Sequence, residues 1–149
     1  MSLLTKVRAS QNVEALVFTF NFDDTMVPKG GGAAVDFGKT KTSATIFEIA
    51  SLPYGARVVG GSFERLVAFD TAGYTVTIGD AGDVDRYLAS ADLKAVGTSP
   101  LLTLAEVATP RTTVPVEMSV TNVDVCTTGQ GRVTILFVID GRGNEIYTH

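Results

Sequence analysis

The chain has 149 residues, a formal net charge of −4 and 45% hydrophobic residues, which is typical of one globular domain with a sizeable core. The acidic balance without a basic cluster argues against nucleic-acid binding, and no apolar run approaches the roughly 20 residues of a membrane span. The single cysteine, Cys126, excludes an internal disulfide and a cysteine-based zinc site. We expect it to be a small apolar residue in or near the core.

Residues 1–12 are predicted to be an extended N-terminal arm, and they lack the long apolar stretch of a secretory signal. Three apolar and two basic side chains in this arm form our candidate contact set: Leu3, Leu4, Lys6, Val7 and Arg8. The arm is interpreted either as a frayed terminus or as a segment that docks on a neighbouring subunit.

Residues 13–141 are predicted to form a single domain of short strands. In the segment 13–22, phenylalanine and leucine alternate with Val17, Thr19 and Asn21, and this two-residue period predicts a half-buried strand. The glycine run 30–32 predicts a loop. It lacks the Gly-Lys-Ser/Thr ending of a phosphate-binding loop.

The segments 43–53 and 54–70 are predicted strands. Gly60 and Gly61, in the middle of the second, indicate a bulge or a close backbone approach. A Thr-Ala-Gly turn then precedes the alternating strand 74–80, so we expect residues 63–79 to form an antiparallel hairpin.

The next stretch is the least strand-like, and we predict one short helical segment near residues 83–95, with Tyr87 and Leu88 packed on the sheet. Residues 101–110 are ambiguous between strand and helix. Strands are predicted over 114–122 and 132–140, followed by a C-terminal tail at 142–149.

These elements give seven or eight short strands without the βαβ alternation of a parallel sheet. The predicted fold class is therefore all-β. The strand pattern is typical of an antiparallel sandwich or barrel. The predicted architecture is an antiparallel β-sandwich, either jelly-roll-like or immunoglobulin-like, with one short helix and an N-terminal arm.

Three aspartates, Asp80, Asp83 and Asp85, lie close together beside Arg86 and suggest two interpretations. A helix-loop-helix calcium site is excluded, because the sixth and twelfth positions counted from Asp83 are leucine and lysine. An unconventional calcium site remains an alternative. The favoured interpretation is a turn after a strand, with an aspartate capping a helical turn and Arg86 neutralising a carboxylate.

Catalytic chemistry finds little support. The only histidine, His149, is the last residue, so no held base is available for a nucleophilic triad. Four acidic residues in predicted strands, Glu48, Glu64, Asp70 and Glu117, are candidates for a glycosidase pair that meets only in space. The chain has no tryptophan to form a sugar platform. A sugar-binding module is kept as an alternative.

Residues 46–141 resemble small virion structural proteins of tailed bacteriophages, namely head decoration or cement proteins. Three stretches carry the resemblance in order: IFEIASLPYGARVVGGSFERLVAFDTAG, then YTVTIGDAGDVDRYLASADLKAVGT, then GQGRVTILFVIDGRGN. They read as an apolar strand with a Leu-Pro-x-Gly-Ala turn, a strand that ends in Ile-Gly-Asp-Ala-Gly-Asp, and a closing strand. Residues 1–40 fall outside the resemblance.

The resemblance implies a β-sandwich that binds the outer surface of the assembled head and stabilises it, with no enzymatic activity and no cofactor. The implied partner is the major capsid protein, and the implied location is the outer capsid surface of the virion. The positive mean hydropathy of so small a chain favours buried subunit contacts, so we also predict self-association as a dimer or trimer. The alternatives are another virion component, such as a tail, neck or fibre-base protein, or a sugar- or calcium-binding β-module.

Overall fold

The computed structural model describes residues 12–101 and 114–139, and this part of the chain is all-β and contains no helix. The strands are β1 Glu14–Asn21, β2 Thr25–Met26, β3 Val35–Asp36, β4 Thr42–Leu52, β5 Ala56–Val67, β6 Tyr74–Asp80, β7 Asp83–Asp92, β8 Gly97–Pro100, β9 Val114–Asn122 and β10 Gln130–Ile139. No helix among the described residues is therefore long and apolar enough to cross a membrane.

Two four-stranded antiparallel sheets pack face to face. One has the strand order β1-β10-β5-β8 and the other β4-β9-β6-β7, while β2 and β3 form a small separate ribbon. The chain crosses from one sheet to the other after almost every long strand. This eight-strand order, with two interleaved Greek keys, is that of a jelly roll, and it differs from the seven-strand pattern of immunoglobulin sandwiches. The topology thus decides between the two predicted sandwiches.

Alternating residues of both sheets build the core between them. On β1 the predicted inward residues Leu16, Phe18 and Phe20 pack on the core, and Phe20 is only 1% exposed. Phe37, which follows β3, bridges the sheets, because its ring centroid lies 5.0 Å from that of Phe20 and 4.5 Å from that of Phe47 on β4. Close aromatic packing of this kind stabilises the contact beyond the area it buries.

The paired glycines of β5 mark a bulge, as the sequence predicts. Leu136 of β10 pairs with Gly60, whereas the next residue pairs with Val58, so Val59 is the extra residue. Gly61 has φ +146°, and a Cβ atom there would approach the carbonyl oxygen of Thr134 closer than 3.0 Å. Both parts of the expectation, a bulge and a close backbone approach, are confirmed.

The helical segment predicted near residues 83–95 is wrong, because β7 occupies most of it and pairs with β6. The register shifts twice along this pair, so β7 carries extra residues that break the two-residue period. The adjacent residues Tyr87 and Leu88 are both buried as a result. Their expected packing under the sheet is confirmed, but the backbone that positions them is a bulged strand.

The hairpin predicted over residues 63–79 is also wrong. β5 and β6 belong to different sheets, and the segment from Ala68 to Gly73 carries the chain between them. The true hairpin in this region joins β6 to β7 through the turn at Asp80–Asp83. A turn signal in the sequence is common to both connections, so it does not reveal which strand receives the chain.

The last two predicted strands, at 114–122 and 132–140, are found as β9 and β10, and Cys126 lies in the core as expected. The candidate contact set of the arm lies outside the described residues. The segment 101–110, which was ambiguous between strand and helix, also lies outside the described residues, except for Leu101. The predicted tail at 142–149 lies outside them as well.

Candidate interaction surfaces

The acidic turn between β6 and β7 is held together by its own hydrogen bonds. The Asp80 carboxylate accepts the N–H groups of Gly82 and Asp83 at 2.9 and 3.0 Å, and it accepts Arg86 Nε at 2.6 Å. The expected neutralisation of a carboxylate by Arg86 is therefore observed, whereas the expected cap of a helical turn is not. Within the described ranges no group of acidic, histidine or cysteine side chains is arranged to hold a metal ion.

Glu64 and Asp70, two of the candidate catalytic carboxylates, make structural contacts. Arg132 Nε on β10 donates to Glu64 at 2.5 Å and keeps the pKa of Glu64 below its ordinary value. The hydroxyl of Thr127 and the N–H groups of Thr128 and Thr127 donate to Asp70 and lower its pKa to about 2. A carboxylate that serves as a general acid requires a raised pKa, which is the opposite direction.

The other two candidates lie side by side on sheet β4-β9-β6-β7. Glu48 and Glu117 are cross-strand partners, and Glu117 is 3% exposed. Lys29, in the loop before the three glycines, forms an ion pair with Glu117, and its N–H donates to the Ile46 carbonyl at 2.8 Å. The ion pair offsets the cost of burying the Glu117 carboxylate, and the backbone bond attaches the loop to the outer edge of β4.

Cys126 is unsuited to nucleophilic chemistry, because burial raises the pKa of its thiol to about 11. A shallow open cleft near the ends of β1 and β10 is lined by Asn21, Phe22, Asp23, Val67, Thr127, Thr128, Gly129 and Gln130. Asp23 is the one ionisable residue in this lining. The cleft therefore offers no pair of acid and base groups.

Three of the four sheet edges carry features that hinder strand addition. β8 has four residues and ends at Pro100, and β7 is bulged and carries Asp83, Asp85, Arg86 and Asp92. β4 is irregular at two points and accepts the backbone bond from Lys29. Short length, proline, charge, bulges and covering loops are the usual means by which proteins protect exposed edges.

Within the part of the chain that the structure describes, β1, the fourth edge strand, shows none of these features. It pairs with β10 in unbroken register along its whole length, and Glu14 is its only charged residue. Val17 on its outward face is 61% exposed, and Val13, which directly precedes the strand, is 58% exposed. A regular, apolar and uncovered edge is the type of surface that accepts another strand.

The backbone direction of β1 follows from its ends. The Phe22 N–H donates to the Gly129 carbonyl at 3.0 Å, so even-numbered residues direct their backbone groups toward β10. The Asn21 N–H donates instead to Asp24, on the opposite side. Odd-numbered residues therefore direct their N–H and carbonyl groups to the open edge, and these residues are Val13, Ala15, Val17 and Thr19. None of the four has a hydrogen-bond partner for these groups in the ranges 12–101 and 114–139.

The residue pattern of β1 does not reveal that it is an edge strand. Alternation along 13–22 separates inward from outward side chains, but it does not reveal whether a strand is central or at an edge. The predicted contact set, Leu3, Leu4, Lys6, Val7 and Arg8, belongs to the segment before β1 and lies outside the described residues.

No family model and no curated protein matches the chain. Three solved structures do contain a similar chain. These are the capsid asymmetric unit of cyanophage Pam1 (20% identity, TM-score 0.59, covering 93% of this chain and 92% of that one), the acid-stable capsid of Helicobacter pylori bacteriophage KHP30 (16%, 0.55, 87% and 94%), and the capsid of Ralstonia phage GP4 (16%, 0.56, 93% and 92%).

The likeness is one of fold. At these identities it shows a shared architecture across nearly the whole length of each chain, and it extends beyond the residues 46–141 that carry the sequence resemblance. All three neighbours are chains of phage capsid structures.

Proposed function

We propose that this protein is a structural component of a bacteriophage virion, and more specifically a decoration or cement protein that binds the outer surface of the assembled head and stabilises it. The observation that supports this most is the shared fold with chains from three phage capsids, over about nine tenths of each chain. The sequence resemblance to decoration proteins is independent of that comparison and favours the same assignment.

The described surface is compatible with such a role. Several of its carboxylates, including those of Asp80 and Glu64, are engaged in turns or ion pairs, its cleft is shallow, and its most distinctive feature is the apolar edge of β1. A protein that binds only the assembled shell stabilises it by mass action, and many copies at equivalent sites increase the effect through avidity. Large binding surfaces serve this purpose better than a deep polar pocket.

The N-terminal arm is the proposed capsid contact, through Leu3, Leu4, Lys6, Val7 and Arg8. Its apolar side chains would add buried area, and its two basic side chains would favour an acidic patch on the major capsid protein. In this proposal the partners are that capsid protein and further copies of the chain, and the location is the outer face of the head.

The first test is the number of copies per purified particle, measured by quantitative mass spectrometry against the major capsid protein. A number equal to that of the capsid protein, or a simple fraction of it, is expected for decoration. A handful of copies would instead assign the chain to the tail, neck or fibre base. Absence from the particle would overturn the virion role altogether.

The second test addresses the arm. A chain that lacks residues 1–11 should keep its melting temperature, because β1 begins at Glu14, and should bind capsids at least tenfold more weakly. The matched variant is the full-length chain with both Lys6 and Arg8 changed to serine, which keeps the apolar residues. Unchanged binding of the truncated chain, measured by cosedimentation with capsids that lack the protein, would exclude the arm as the contact.

A further inference from the structure

We propose that the open edge of β1 is a self-association site at which two copies of this chain pair antiparallel about a twofold axis, so that two four-stranded sheets become one continuous eight-stranded sheet. The proposal gives a location to the self-association that is part of the proposed function, and it can be tested without a capsid. It depends on the contrast between β1 and the three protected edges.

Among the sheet edges of the described residues, β1 is the one without protective features. An exposed, regular, apolar strand with unpaired backbone groups is an aggregation hazard unless something covers it. β8, β7 and β4 each carry protective features, whereas β1 carries only Glu14, and both Val17 and the preceding Val13 are exposed. Within the described ranges no segment covers the backbone groups of its odd-numbered residues.

The backbone hydrogen-bonding groups along the open edge of β1 are self-complementary. If Leu16 lies on the twofold axis, Val13 pairs with Thr19 of the second copy and Ala15 pairs with Val17 of the second copy. Every outward-directed N–H and carbonyl of the edge is then matched. A shift of one pair toward the C-terminus would place Val13 opposite Asn21, whose N–H is already bonded to Asp24. With Leu16 on the twofold axis, all four outward-directed residues pair with one another, and this is the register that the strand favours.

Charge and apolar contacts also favour a second copy of β1 as the partner. In this register Glu14 lies opposite Phe18 of the second copy, so the two glutamates of the dimer do not face each other. On the outer face each exposed valine gains a neighbour, because Val17 contacts Ala15 of the second copy. Cross-strand pairs of this kind stabilise a sheet, whereas facing like charges destabilise it. Only one charged residue per strand makes a second copy of β1 an acceptable partner.

The test is the oligomeric state of the full chain in solution, measured by sedimentation velocity at concentrations up to roughly 100 µM, where even a weak interface is populated. The wild-type chain should be a dimer. Val17→Lys should shift it to a monomer, because the two lysines would be diagonal like-charged neighbours across the pair and a lysine on an edge strand opposes strand addition. The matched control is Val84→Lys on β7, which is 51% exposed and should remain dimeric. A wild-type monomer, or a dimer that Val17→Lys leaves intact, would overturn the proposal.

Val17→Pro tests the backbone pairing itself. The N–H of Val17 is directed to the open edge, so its loss removes no bond to β10 but blocks strand addition. Circular dichroism of the separated monomer checks that the variant is folded. If Val17→Pro misfolds, cysteine crosslinking gives the decision, since mixed Ala15→Cys and Val17→Cys chains should form a heterodisulfide. A mixture of Ala15→Cys and Val84→Cys chains gives the background rate of crosslinking. If the mixture of Ala15→Cys and Val17→Cys chains crosslinks no faster than this background, the register is contradicted.

The outcomes separate this inference from the proposed function. Loss of the dimer in Val17→Lys with retained capsid binding would support the β1 interface and leave the arm as the capsid contact. A monomeric wild-type chain that still decorates capsids would overturn the β1 interface alone.

Discussion

Asn122 at the end of β9 is the most extensively bonded polar side chain of the described interior. It is fully buried, and its Oδ1 accepts both the N–H and the hydroxyl of Thr42 at 2.6 Å. Its Nδ2 donates to the carbonyls of Thr40 and Asp124 at 2.8 and 2.9 Å and shares a longer bond with Gly38. One amide thus joins β9, the start of β4 and two loops.

Asn122→Ala should therefore lower the free energy of unfolding by about 3–5 kcal/mol, because it leaves several buried backbone groups without partners. Urea denaturation measures the loss. Asn12→Ala is the matched control on an exposed residue and should change stability by less than about 0.5 kcal/mol. A loss below about 1 kcal/mol for Asn122→Ala would mean that water replaces the amide without much cost.

The hydrogen bonds to Asp70 should make the stability of the folded protein depend on pH. Hydrogen bonds from Thr127 and Thr128 lower its pKa to about 2 in the folded protein, whereas the ordinary value is 3.8. A lowered pKa of Asp70 in the folded state stabilises that state at pH values above the ordinary pKa. This contribution to stability disappears as the pH falls from about 4 toward about 2. Asp70→Asn should thus be less stable than wild type at pH 7, and the difference should narrow across that window.

The measurement is the urea midpoint of both proteins at several pH values. Asp23→Asn serves as the control, because the Asp23 carboxylate makes no hydrogen bond in the described part of the chain. A difference between wild type and Asp70→Asn that is constant from pH 7 to pH 2 would show that the hydrogen bonds do not depend on the charge of Asp70.

At the scale of single elements, the β5 bulge provides a matched pair of neighbouring glycines. Gly61 lies at positive φ against the Thr134 carbonyl, whereas a Cβ atom on Gly60 would meet nothing within 4 Å. Gly61→Ala should cost about 2–4 kcal/mol through steric overlap and an unfavourable φ. Gly60→Ala should change stability by less than about 1 kcal/mol.

Thermal unfolding of the two alanine variants, recorded side by side, tests this prediction. Equal melting temperatures would imply that β5 loses its bulge in Gly61→Ala and pairs with β10 in a new register. That result would contradict the view that the bulge is required by the close approach of β5 to β10.

At the scale of the whole molecule, the jelly-roll order places the ends of the described chain side by side. Asn21 on β1 and Gln130 on β10 are 109 residues apart in sequence and are joined by a hydrogen bond at 3.0 Å. Pairing of such distant segments requires closure of a long loop, and the entropy cost of this closure arises before any contact between the strands compensates for it.

We therefore expect refolding on the scale of milliseconds to seconds or slower, as for other domains dominated by non-local strand pairing. Stopped-flow dilution from urea, followed by tyrosine fluorescence, measures the rate. The chain has five prolines, so a double-jump experiment is needed to separate prolyl isomerisation over tens of seconds. Refolding in microseconds would contradict the role of non-local pairing.

Much of the fold was predictable because side-chain alternation is a local property of a strand. The inward face of β1, the extents of β9 and β10, and the bulge at Gly60 and Gly61 all followed from residue order alone. The same local reasoning failed at β7, where extra bulge residues brought Tyr87 and Leu88 to the interior together and imitated a helical period.

Residue order alone predicts the all-β class, most strand positions and the inward face of each regular strand, since these depend on a two-residue period and on turn residues. Strand pairing, the placement of β5 and β6 in different sheets and the open edge of β1 within the described residues are seen only in the three-dimensional fold. The fold also brings Lys29 against Glu117, 88 residues away. The physical reason is that edges, pairings and buried ion pairs arise from contacts between distant segments, which no local pattern encodes.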